Sequence, residues 1–168
     1  MQRQNDIVYY DGVTIPFSEG SFDHVMSSEV LEHVPDAAAF VAEMARVLRA
    51  GGTLILTMPW SARVHHLPHD YRRLTRQGLM NLMASAGFEN IRVEERGNDV
   101  AVVANKLIVM LIRLLRPASP RHVIWSWPLA MLLGPAALCF VVAAHLALRF
   151  KLGSLEDPLG YGLVAIKR

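Results

Sequence analysis

The chain has 168 residues, 52% hydrophobic and 19% charged, which is enough for one domain with a real core and excludes a disordered chain. Its net charge of 17 − 15 = +2 gives no bulk-charge argument for nucleic acid, and none is expected as a partner. The single cysteine, Cys139, excludes an intramolecular disulfide framework and a cysteine metal cluster, and fits a reducing, cytoplasmic setting.

In chain order, Ile7–Tyr10 reads as a short strand. Residues 11–20 carry turn chemistry, with Asp-Gly, Pro16 and Gly20. Phe22–Ser27 is a second strand, and Asp36 is placed to cap a helix. That helix carries Phe40, Val41, Met44, Val47 and Leu48 on one face, and Gly51-Gly52 is expected to stop it. TLILTM (53–58) is apolar at every second position and between, as in a parallel strand covered on both sides. After the polar loop 59–74, Thr75 caps a helix with Leu79, Met80, Leu82, Met83 and Ala86, ended by Gly87. Residues 88–95 and 160–167 have strand patterns. Strands alternating with helices argue for an α/β fold with a mainly parallel sheet. In such sheets ligands sit outside the carboxyl ends of the strands. Asp11, Ser27–Glu29 and Pro59–Tyr71 fall at those ends.

Between these soluble stretches lies an apolar block. Residues 99–116 form a basic amphipathic helix, with Lys106, Arg113 and Arg116 among Val102, Leu107, Ile108 and Leu111. Val123–Leu148 runs without Asp, Glu, Lys or Arg, longer than the roughly 20 apolar residues that cross a hydrocarbon core. Trp125 and Trp127 resemble interface anchors, and Pro128, Gly134 and Pro135 are expected to kink the run.

Three blocks in order, DGVTIPFSEGSFDHVMSSEVLEHVPD, RVLRAGGTLILTMP and the helix end ASAGF, resemble class I S-adenosylmethionine-dependent methyltransferases of the broad type 11 group. The resemblance covers residues 6–95, and residues 157–168 look like the family's closing antiparallel strand. It implies a partial Rossmann-like sheet with an apolar helical hairpin inserted before the last strand. The domains expected are residues 1–98, 99–150 and 151–168. If the last strand completes the same sheet, both ends of the insertion return to one side and a single membrane crossing is excluded. A buried helical pair or a dimer interface is the competing explanation of the apolar block.

The resemblance implies S-adenosylmethionine as cofactor and assigns roles to single residues. The Asp11 carboxylate accepts from the adenine amino group, with Gly12 and Val13 offering backbone groups to the ring. Ser28, Glu29 and Val30 border the reactive sulfonium. The family's opening strand, glycine-rich turn and acidic ribose residue have no counterpart here, so the chain is expected to be a fragment carrying the adenine half of the site. The gap leaves Phe22–Ser27 as an exposed edge, unless Ile7–Tyr10 slides across to pair with it.

His33, His69, Asp70 and Tyr71 are candidates for a proton step or acceptor contacts. The inert alternatives are a locally bonded His33, a solvated 69–71 loop, an Asp-Gly turn at Asp11 and a solvated Glu29. His65 and His66 read as ordinary loop residues. Glu29, Glu32 and His33 would share a helix face at i, i+3 and i+4 and suit Mg²⁺ or Mn²⁺. Similar segments in certain metal-dependent O-methyltransferases do this, but the same residues decorate metal-free relatives, and no metal is assigned. The expected activity is methyl transfer to a small-molecule or lipid-linked acceptor, at a membrane surface that the protein joins peripherally or monotopically. The rival is a catalytically inactive module that binds membrane or a partner. An oligomer is left open.

Overall fold

A computed structural model describes residues 7–168. The chain divides into two compact units, residues 7–94 with Tyr161–Arg168, and Glu95–Gly160.

In the first unit the sheet is built from β1 (Phe22–Ser28), β2 (Leu48–Pro59), β3 (Phe88–Arg96) and β4 (Gly160–Lys167), in the order β1-β2-β4-β3. β1 and β2 are parallel. The end of β4 meets the start of both its neighbours: Lys167 Nζ donates to Leu48 O at 2.6 Å, and Arg168 N to Gly87 O at 3.1 Å. β4 is therefore antiparallel, and β1, β2 and β3 run together. The closing strand expected at 160–167 is present with those bounds.

Helices α1 (Ala37–Val47) and α2 (Arg76–Ser85) carry the two steps β1 to β2 and β2 to β3. Both steps move in the same direction across the sheet, so crossovers of one hand put both helices on one face. Asp36 caps α1 through Ala39 N at 3.0 Å, and Thr75 caps α2 through Gly78 N at 3.1 Å. Against them β2 buries Leu54, Leu56 and Met58 completely, in one core with Val41, Met44, Leu79, Met83, Phe88 and Leu163.

Three expectations are corrected. Residues 7–10 form no strand, whereas the edge expected at Phe22–Ser27 is present as β1. The expectation of cover on both sides fails within this unit, since Met26 is 72% and Ile55 41% exposed on the face away from the helices. Gly51-Gly52 does not stop α1. The helix ends at Val47, and the pairing register jumps from Phe22↔Leu48 to His24↔Thr53, so the glycines lie in a bulge at the start of β2. Gly51 there has φ 74°, and a Cβ at Gly52 would stand 2.8 Å from Arg49 O.

The second unit is a helical hairpin, α3 (Asp99–Leu115) and α4 (Val123–Phe150). Its ends are joined at the base: Asn98 Nδ2 donates to Leu152 O at 2.7 Å, and Ser154 N to Asp99 Oδ1 at 3.0 Å. At 1.5 Å per residue, the 28 residues of α4 extend about 42 Å, continuous through Pro128 and Pro135. Its buried residues are all small, namely Ser126, Ala130, Ala137, Ala144 and Ala147, while Ile124, Met131, Leu132 and Leu138 are more than 60% exposed.

Candidate active site

β1 and β2 end side by side. Ser28 Oγ and Thr57 Oγ1 are 2.9 Å apart, and Glu29 N donates to Thr57 O at 3.1 Å. Glu29 then takes a left-handed φ of 53°, and a single 3-10 turn follows at Leu31–His33. Glu29, Glu32 and His33 therefore do not share an α-helical face, and the helix-based metal triplet is corrected: the chain reverses too sharply for the i, i+3, i+4 spacing to hold.

The loop after β2 folds back over this corner. Tyr71 N donates to Glu32 O at 2.9 Å, and Arg72 Nη1 to Leu31 O at 3.1 Å. Arg72 also donates to the Val34 and Pro35 carbonyls. His33 Nδ1 lies 2.5 Å from His69 O, and His69 Nδ1 lies 2.9 Å from the Tyr71 hydroxyl. A groove of about 240 Å³ opens here, lined by Ala62, Val64, Asp70, Tyr71, Arg72 and Arg73.

Asp70 is the anchor of the loop. Its carboxylate accepts from Arg73 Nη1 at 2.5 Å, from Arg73 Nη2 at 3.0 Å and from His65 N at 2.9 Å. The Arg73 guanidinium, more than the opposing burial, holds the carboxyl far below the usual carboxylate range. Such a group stays ionised at neutral pH and is a weak proton acceptor, so its contribution is to position Arg73 and the His65 backbone. Glu32 is fully buried, with Oε1 3.6 Å from His33 Nε2.

The structure thus brings His33, His69, Asp70 and Tyr71 into one network. It adds Arg72 and Arg73, which sequence reasoning passed over, together with Glu32, weighed there only as a metal candidate, and His65 and His66, read there as ordinary loop residues. The i, i+3 spacing of Asp70 and Arg73 was the available signal for Arg73. Asp11, Gly12 and Val13 form a separate exposed turn, in which Val13 N and Thr14 N donate to Asp11 Oδ1 at 2.9 and 3.0 Å. Those amides, Val13 first, lower the Asp11 pKa. Both bonds fall on Oδ1, leaving acceptor capacity on Oδ2. A Cβ at Gly12 would meet nothing within 4 Å, so the backbone there is open to a flat ring. These features fit an adenine amino group and ring. The turn is followed by a tether to α1, with Ile15 N donating to Glu43 Oε2 at 2.9 Å and Arg46 Nη2 to Ile15 O at 2.8 Å.

A family model described as a methyltransferase domain matches residues 2–56. A probable S-adenosylmethionine-dependent methyltransferase of Mycolicibacterium smegmatis is 36% identical over 90 residues, covering 50% of this chain and 35% of that protein. The 2-methyl-6-phytyl-1,4-hydroquinone methyltransferase of Synechocystis sp. is 42% identical over 53 residues, covering 32% and 16%. The chain therefore spans about a third or less of the length of these relatives. The fold resembles that of Haemonchus contortus phosphoethanolamine N-methyltransferase 2 in complex with S-adenosyl-L-methionine, with TM-score 0.51 and 19% identity over 94% of this chain and 36% of that one. The strand order and the reversed last strand agree with that fold, so the chain has a class I methyltransferase-type fold, and its residues 2–56 are similar to a methyltransferase domain.

Proposed function

We propose that the chain serves S-adenosylmethionine-dependent methyl transfer to an apolar or lipid-linked small-molecule acceptor at a membrane surface. The family match over residues 2–56 carries the methyltransferase part, because it spans both the Asp11 turn and the end of β1. When bound, S-adenosylmethionine supplies an electrophilic methyl group on a sulfonium. Asp11 accepts from the adenine amino group through Oδ2, and the Gly12–Val13 backbone lies along the ring. Ser28, Glu29 and Val30 line the approach to the reacting methyl. His33 and Tyr71 border the acceptor, and His69 takes up its proton. Asp70 holds their loop in place through Arg73.

The distribution of side chains on the hairpin supports the membrane part. In a soluble helical pair large aliphatic residues are buried first. Here the buried positions of α4 are alanine and serine, and its Ile124, Met131, Leu132 and Leu138 face outward, as in helices packed within lipid. Lys106 and Arg113 on α3 favour a hairpin seated in one leaflet over two full crossings. The name of the Synechocystis relative supports an acceptor with an apolar tail, since it states a phytyl hydroquinone.

The test is calorimetric titration of the purified chain with adenosine and with S-adenosylmethionine. Both should bind saturably, and Asp11→Ala should weaken both about tenfold, the value of one charge-assisted hydrogen bond. No binding, or binding that Asp11→Ala leaves unchanged, rules the reading out.

A further inference from the structure

We propose that His33, His65 and His66 form a binding site for a divalent transition-metal ion of the zinc type. The inference stands on this cluster alone and does not require that the chain transfer methyl groups. One ring nitrogen from each histidine lies within 4.8 Å of those of the other two. The ring centroids are 4.7 Å apart for His33 and His65, and 5.2 Å for each ring with His66.

The tautomers follow from the neighbours. His33 Nδ1 is 2.5 Å from His69 O, and His65 Nδ1 is 3.0 Å from Arg63 O. A carbonyl only accepts, so both Nδ1 atoms carry the hydrogen and both Nε2 atoms present a lone pair. Imidazoles fixed through the second nitrogen by a backbone carbonyl or a carboxylate are the usual support of a metal ligand. His65 has both kinds, because Asp70 Oδ2 is 3.4 Å from its Nδ1. His66 is held at φ 52°, a left-handed backbone that few residues with a Cβ adopt.

Glu32 is the independent observation. Its carboxylate is 0% exposed, and neither oxygen has a hydrogen-bond partner among the described residues. Burying a carboxyl group whose oxygens have no hydrogen bond is costly. His33 Nε2 is 3.6 Å from its Oε1 and bears a lone pair in the tautomer just derived. The Arg73 guanidinium attracts Glu32 through space but gives its hydrogen bonds to Asp70 and to the Arg72 and Arg63 carbonyls. A cation among the three imidazoles neutralises Glu32 and uses those lone pairs at once. Three imidazole nitrogens select zinc-type ions over Mg²⁺, and leave a fourth position for the Glu32 carboxylate or water. Donors around tetrahedral zinc stand about 3.4 Å apart, so the rings must close in slightly, which the exposed His66 permits.

The test uses the full chain in detergent, stripped of metal and titrated with Zn²⁺ by calorimetry and with Co²⁺ by visible absorption. One equivalent should bind, Co²⁺ should give the intense band of tetrahedral coordination, and excess Mg²⁺ should not compete. His65→Ala and His66→Ala should each weaken binding at least about tenfold, with melting temperatures showing that both variants fold. His69→Ala, and the pair His122→Ala with His145→Ala, should keep the affinity of the parent. Failure to bind overturns the proposal. So does binding that survives both His65→Ala and His66→Ala, or binding that is lost with His69, His122 or His145.

Discussion

At the scale of single residues, Asp70 does most to hold the candidate site. Its side chain is 2% exposed and its partner Arg73 is 20% exposed, so the pair is largely shielded from water. Asp70→Asn leaves the guanidinium without its carboxylate and should cost about 3 kcal/mol in chemical denaturation at pH 7. The pH dependence has a definite sign. The folded pKa lies below the unfolded value, so the contribution is complete above about pH 4 and fades as pH falls through the lower folded value. The gap between parent and variant should therefore narrow in acid, and equal stability at pH 7 would contradict the assignment. The capping roles of Asp36 and Thr75 were legible in the sequence because a cap is a local rule of three residues. The meeting of His33 with His65 and His66 was not. It depends on where a long loop lands, and no periodicity fixes that. The left-handed turn at Glu29 was hidden for a similar reason, since Ser-Glu-Val-Leu-Glu-His before a proline satisfies helix spacing equally well.

At the scale of elements, Asn98 has two duties. Its Oδ1 caps α3 by accepting from Ala101 N at 2.9 Å, and its Nδ2 holds Leu152 O. Asn98→Ala removes the cap and strands a carbonyl, at a combined cost of about 2 kcal/mol. Hydrogen exchange should show protection falling at Ala101–Val103 and Leu152–Ser154, with the middle of α4 unaffected; uniform protection would refute the clamp. Helix and strand types were legible almost throughout, because α1 and α2 carry clear apolar faces and residues 88–95 and 160–167 are short apolar-bearing runs bounded by glycine or charge. The failures came from glycine and from edges. Gly51-Gly52 suits a helix end and a bulge alike, and only pairing with β1 decides between them. Residues 7–10 are apolar enough for a strand, but a strand needs a neighbour, which nearby sequence cannot supply.

At the scale of the molecule, the apolar hairpin sets how the protein behaves in solution. Met131 and Leu132 are 80% and 78% exposed on α4. Moving one such side chain out of water is worth about 1.5–3 kcal/mol. The parent chain should float with liposomes, and Met131→Lys with Leu132→Lys should lower vesicle partitioning at least tenfold. A parent that stays in the soluble fraction as a monodisperse dimer would favour the interface explanation instead. The sheet order joins this to folding. β4 lies between β2 and β3, yet the chain visits the whole hairpin before reaching it. During synthesis the ribosome thus releases three strands with a slot between the second and the third, then an apolar helical pair, and only afterwards the piece that fills the slot. The apolar hairpin therefore leaves the ribosome while that slot still stands open. Mistargeting and misfolding should accordingly share one kinetic window.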